Sequence, residues 1–221
     1  MAVRSGIYRG VSAADRVVRR RTRLLAAGLT VWADPLTRTT MTAVCAEAGL
    51  SERYFYESFT GLEALLEAVM DTIAAEIEET SHAAAEAAGD DPMARVRASV
   101  RAFMDLLLDD PRKGRVAIVE SLAVPKLRQR RTELLRHLAH QSAIESRKVL
   151  GAPGRSRVLG APGRSRVLGA PARSRNEDEI GGMLFIGGMA ELITAWLDGT
   201  LEASTDEIVE AASRALLGIY G

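Results

Sequence analysis

The sequence predicts an all-α chain, and three observations predict it. Apolar residues recur at helical spacing, and the stretch from Pro92 to about Leu150 has no apolar-polar alternation of the kind a half-buried strand shows. The segments are divided by helix-ending punctuation at Gly49, Gly89-Asp90-Asp91-Pro92, Asp109-Asp110-Pro111 and Pro125. Two S/T-x-x-E boxes, Thr60 to Glu63 and Ser204 to Glu207, have the form that opens a helix.

The first helix is expected over about Ala13 to Ala33. Leu24, Leu25, Gly28, Leu29 and Trp32 line its buried side, and Pro35 stops it. Arg16, Arg19, Arg20, Arg21 and Arg23 give it a basic start, which is either a solvated helix end or a set of phosphate contacts. In the second helix Met41, Val44, Cys45 and Ala48 fall at i, i+3, i+4 and i+7, one apolar face. Gly49 ends it, and Ser51 can cap the next helix with its hydroxyl. In that third helix Phe55 and Phe59 share the buried face, leaving Glu52, Arg53, Tyr54, Tyr56 and Glu57 as the outward set. Two short helices around a tight turn, the second exposing Arg and Tyr, suit a helix-turn-helix whose second helix enters a DNA groove.

Leu62, Leu65, Leu66, Val69, Met70, Ile73 and Ile77 continue as an apolar stripe of a fourth helix to about Ala88. Three further helices are expected between Pro92 and Leu150. One has Val96, Val100, Phe103, Met104 and Leu107 on a face, and another has Val116, Ile118, Val119 and Leu122. Such faces close around a solid core or around a cavity. Glu133, His137 and His140 fall at i, i+4 and i+7, a spacing open to metal binding, but a solvated helix face in an Arg-rich run is the preferred reading, and no metal site is assigned.

Residues 149–175 are three nearly identical nonamers, VLGAPGRSR twice and then VLGAPARSR. Pro and Gly in each unit oppose a helix, and two large apolar residues per unit build no core, so a disordered loop is expected. Its six Arg leave polyanion binding as the functional alternative to an inserted spacer. From Ile180 to Asp198, glycines are interleaved with Met183, Leu184, Phe185, Ile186, Leu192, Ile193, Trp196 and Leu197. The stretch is long enough to pass for a membrane span, but Glu191 and Asp198 favour a buried helix in which small residues allow close helix contact. Ile208, Ala211, Ala212, Ala215, Leu216 and Ile219 give the last helix its apolar face.

The net charge is zero, but its distribution is uneven: +4 over residues 1–60, −9 over 61–110, +13 over 111–175 and −8 over 176–221. DNA binding needs only a local basic surface, and the first block supplies one. One cysteine excludes an intrachain disulfide framework, and Cys45 reads as a small core residue. No targeting segment precedes the first helix, and a cytoplasmic protein with no membrane partner is expected. No G-x-S-x-G, complete P-loop or dinucleotide fingerprint occurs, so neither an enzyme nor a cofactor is expected.

Over Arg21 to Ala27, Thr39-Thr40-Met41, Ala48-Gly49-Leu50-Ser51, Tyr56 to Phe59 and Glu63 to Leu66 the chain resembles the TetR (tetracycline repressor) family of bacterial transcription regulators. Gly187-Gly188 and Trp196 to Gly199 resemble that family's last two helices. The pattern departs at Asp34 to Thr37, where a Gly-aromatic pair is usual, at Ala43, where Asp is usual, and at Leu62, where Lys is usual. The resemblance implies a helix-turn-helix DNA-binding domain at residues 1–60 and a helical ligand-binding and dimerisation domain at 61–221. It implies base reading by Arg53, Tyr54 and Glu57 and phosphate contacts by Thr40, Ser51 and Tyr56, on a palindromic double-stranded operator. An apolar small-molecule effector would bind between helices, with Phe103, Leu107 and Trp196 as candidates. A homodimer would pair through Gly187, Gly188, Ile193, Ala212 and Leu216. The function implied is a repressor released by its ligand; a ligand-independent regulator or activator, and a small-molecule carrier or enzyme using the helical pocket, are the alternatives.

Overall fold

A computed structural model describes residues 13–150 and 174–220, and among these there are helices and turns but no strand. The described residues form two compact units, one of residues 13–77 with 106–132 and one of residues 78–105 with 133–150 and 174–220. Helices α4, Leu62–Ala87, and α5, Pro92–Asp109, contribute to both.

In the first unit, α1 (Ala13–Ala33) packs on α2 (Met41–Ala48) and α3 (Glu52–Ser58), which also pack on each other. The buried side chains follow the sequence stripes: Leu24 and Trp32 of α1, Val44, Cys45 and Ala48 of α2, Phe55 of α3 with Phe59 just beyond it, and Leu65, Leu66 and Val69 of α4. Gly28 lets α1 approach α4 closely: an added Cβ would stand 3.1 Å from a Leu65 methyl and 3.3 Å from a Val69 methyl, tight enough that those side chains would have to shift. The Thr40 hydroxyl caps α2 by accepting from the Ala43 N–H at 3.1 Å. Gly49 closes α2 at φ 59°, a conformation that side-chain-bearing residues adopt at a cost.

Residues 111–127 depart from the single helix expected. A short α6 (Pro111–Gly114) runs into a π-helical segment at Arg115–Glu120, then α7 (Ser121–Ala123) and a 3₁₀ turn at Pro125–Leu127. The π spacing brings residues five apart together, and Arg115 Nε meets Glu120 Oε1 at 3.0 Å. Arg112 ties α6 back to α1, donating to Thr30 Oγ1 at 2.9 Å while Asp110 holds its other face. Both α6 and the π segment pack on α1.

In the second unit, α8 (Arg128–Leu150), α9 (Arg175–Leu197) and α10 (Thr205–Tyr220) are the long helices, α8 beginning in the first unit. The expected box at Ser204 is present: the Ser204 N–H donates to Glu207 Oε2 at 2.8 Å and the Glu207 N–H donates back to Ser204 Oγ at 3.3 Å. A second box, Ser174 with Glu177, opens α9 five residues before the apolar run begins. The helix α4 starts at Leu62, one residue later than a box on Thr60 implies. Apart from its ends, which lie in α8 and α9, the triplicated nonamer expected as a disordered loop falls outside the described residues.

The stretch from Ile180 onward is not buried within the chain as expected. Gly181, Gly182, Met189 and Ile193 face inward, but Ile180, Met183, Leu184, Gly187, Gly188 and Glu191 are exposed at i, i+3, i+4, i+7, i+8 and i+11. That is a continuous stripe along one side of α9, apolar or glycine until Glu191. Residues 176–197 are long and apolar enough to cross a membrane by length and composition, the one such helix among the described residues.

Candidate nucleic-acid interface

The candidate DNA-binding residues gather on and around α3. The apolar face of α3 fixes its orientation: Phe55 is fully buried, and its ring meets that of Phe59 at 5.9 Å and the edge of Tyr56 at 5.7 Å. What remains outside is the predicted reading set. The Arg53 side chain is 85% exposed, and Tyr54 and Tyr56 are also exposed. Ser51 occupies the cap position of α3, but contrary to expectation its hydroxyl makes no cap hydrogen bond. Thr40, half-buried at the start of α2, spends one lone pair on Ala43 and keeps its hydroxyl proton for another acceptor.

Glu57 is engaged within the protein on both carboxylate oxygens. Its Oε2 accepts from Arg20 Nη2 at 3.2 Å and its Oε1 from Arg53 Nε at 3.3 Å, so both oxygens already meet guanidinium groups. The arginines of α1, read from sequence as phosphate contacts, are partly committed inside the protein. Arg20 lies over the Tyr54 ring at 4.4 Å, and Arg21 lies over the Phe59 ring at 4.3 Å while donating to the Ser58 carbonyl at 3.0 Å. Arg23 donates to the Ala48 carbonyl at the end of α2. Three cations from one helix thus clamp the two short helices, a role that the sequence reading of this basic run as phosphate contacts or a solvated helix end did not include.

The other sequence candidates fall elsewhere. Leu107 is a fully buried core residue of the first unit. Phe103 and Trp196 are half-buried, and the Trp196 indole N–H donates to the Ala203 carbonyl at 3.1 Å. A surface groove between α5 and α10 is lined by Arg97, Arg101, Asp206, Glu210 and Arg214, which pair with one another, and by none of the three ligand candidates. Of the residues expected at a dimer contact, Ile193, Ala212 and Leu216 are buried in their own chain, because α9 and α10 pack on each other; Gly187 and Gly188 are exposed. His137 pairs with Glu78 at 3.1 Å, and among the described residues no three His, Cys, Asp or Glu side chains group as metal ligands.

No family model and no curated protein matches the sequence. Solved structures do match over nearly the full length. The fatty acid degradation regulator FadR from Bacillus halodurans is 14% identical with a TM-score of 0.68, covering 90% of this chain and 94% of its own. A TetR family transcription regulator from Marinobacter aquaeolei VT8 is 18% identical with a TM-score of 0.59, covering 93% and 97%. A TetR-family transcriptional regulator from Pectobacterium atrosepticum is 21% identical with a TM-score of 0.56, covering 91% and 92%. The chain therefore has the fold of the TetR-family transcriptional regulators.

Proposed function

We propose that the chain is a TetR-family transcriptional regulator, not an enzyme, that acts in the cytoplasm and binds a palindromic double-stranded operator as a homodimer. The observation that carries this reading is α3, whose buried Phe55 and Arg21-held C-terminal end leave Arg53, Tyr54 and Tyr56 on the outer side of a helix-turn-helix. Arg53 suits a guanine edge, which takes a guanidinium through two parallel hydrogen bonds, and Tyr54 lies next to it. Thr40, Ser51 and Tyr56 carry hydroxyls that suit phosphates, which set register without reading sequence. In this reading residues 1–60 bind DNA and residues 61–221 provide dimerisation and the effector site. These functional halves need not coincide with the two packing units, since α4 belongs to both.

The second copy is taken on the exposed stripe of α9, Ile180, Met183, Leu184, Gly187 and Gly188. Exposed large apolar side chains in one row mark an interaction surface, and the glycines admit a closely approaching helix. A small apolar effector bound among the C-terminal helices would relieve repression. To weaken operator binding 100-fold, it must favour the non-binding form by about 2.7 kcal/mol.

Footprinting the purified protein on the DNA flanking its own gene, at several salt concentrations, tests the reading. Protection of a palindrome whose affinity falls steeply with salt supports it. Retained affinity and sequence preference after Arg53→Ala would remove the base-reading assignment.

A further inference from the structure

Glu57 joins two arginines of very different surroundings. Arg20 reaches it from α1, across 37 residues of sequence, with a side chain only 20% exposed and an Nε that is buried with no hydrogen-bond partner. The same guanidinium lies 4.4 Å from the centroid of the Tyr54 ring. Arg53, one helical turn before Glu57, is 85% exposed and is bonded through Nε, the inner nitrogen of its guanidinium. A bond at Nε leaves the two terminal nitrogens, a fork that can address a base edge.

An exposed arginine on its own samples many rotamers, and ordering it on DNA subtracts from affinity. A carboxylate on a groove-reading helix is also repelled by phosphates unless cations neutralise it. One arrangement answers both. Arg20 is largely fixed by burial and by its stack on Tyr54; it holds one oxygen of Glu57, and the other oxygen holds Arg53 by its inner nitrogen. An isolated surface ion pair contributes little, but here three charges and a ring form a network with one half-buried member, Arg20.

We propose that Arg20 and Glu57 are positioning residues for sequence reading: they orient the Arg53 fork toward a single guanine in each half-site, and Glu57 itself reads no base. This rests on the reading of α3 as the groove-entering helix.

The test is a binding profile on all single-base variants of the selected operator, for full-length wild type, Arg53→Ala, Glu57→Gln, Arg20→Ala, Arg20→Lys and the double variant Arg53→Ala/Glu57→Gln. Thermal melts accompany each, so that a variant with lost fold is identified and Arg20→Lys and Glu57→Gln carry the comparison. Arg53→Ala is expected to lose about tenfold or more of the preference for one guanine. Glu57→Gln and the Arg20 variants are expected to weaken the preference at that same base pair severalfold, and the double variant to show no loss there beyond Arg53→Ala alone. A Glu57→Gln effect at a different base pair that persists in the Arg53→Ala background would make Glu57 a base reader and overturn the proposal. Uniform weakening by Arg20→Ala across all sequences, with a shallower salt slope, would make Arg20 a phosphate contact and overturn it too. If Arg53→Ala alters no preference, the reading of α3 fails, and the inference with it.

Discussion

The Cβ that Gly182 lacks would lie 2.6 Å from the carbonyl oxygen of Ala139, so α9 crosses α8 at a distance only glycine permits. The obstructing atom is helix backbone and cannot swing aside. Gly182→Ala is therefore expected to force the helices apart and cost about 1–3 kcal/mol, as overpacking does. Gly187→Ala meets no atom of its own chain within 4 Å and is expected to leave monomer stability unchanged or slightly raised. Chemical denaturation of the two variants under monomeric conditions checks the contrast.

Ile180 and Leu184, 60% and 65% exposed, lie one turn apart on the outer side of α9. Introducing charge there adds no strain within the chain. Ile180→Glu with Leu184→Glu is expected to convert a dimer into a folded monomer, measured by sedimentation with circular dichroism as the control. An unchanged mass would place the dimer contact elsewhere.

The Trp196 indole N–H and the Ala203 carbonyl close the turn between α9 and α10. Trp196→Phe keeps most of the ring and removes the donor. It is expected to cost about 0.5–1.5 kcal/mol for the hydrogen bond, plus the loss from a smaller ring, read as a lower melting temperature.

Asp110 accepts from Arg112 Nε and Nη2, each at 2.8 Å, and also from the Arg112 N–H. The Arg112 side-chain hydrogen bonds hold its carboxyl below the ordinary carboxylate value, more than partial burial raises it. A carboxyl depressed by folding adds stability that is fully present above its unfolded value, about 3.9, and is lost as pH falls through the folded one. The stability difference between wild type and Asp110→Asn is expected to be constant near neutrality and to shrink below about pH 4. Urea titrations across that range measure it.

Helix positions were legible in the sequence where local chemistry sets them. The first helix ends where Pro35 requires, Gly49 adopts the left-handed conformation, and Phe55 and Phe59 are buried as their spacing implies. The Ser174 box was equally local, but it stood at the end of a Gly- and Pro-bearing repeat whose composition suggested a loop. Partners at long range were not legible. The basic run of α1 gave no sign that Arg20, Arg21 and Arg23 bind α2 and α3, since nothing local distinguishes a guanidinium aimed at a carbonyl from one aimed at a phosphate. The apolar periodicity of α9 and α10 likewise identified faces without identifying what covers them: Ile193, Ala212 and Leu216 are buried within the chain, while Ile180, Met183 and Leu184 are left exposed.

The most direct test of the central claim is selection of binding sites from a pool of random duplex DNA by the full-length protein, at two salt concentrations. The account predicts enrichment of a sequence with dyad symmetry, its half-sites about 34–36 Å or a multiple apart, bound less tightly at high salt and with one guanine per half-site lost to Arg53→Ala. A pool that shows no enriched sequence, or an enriched site indifferent to Arg53→Ala, would contradict it.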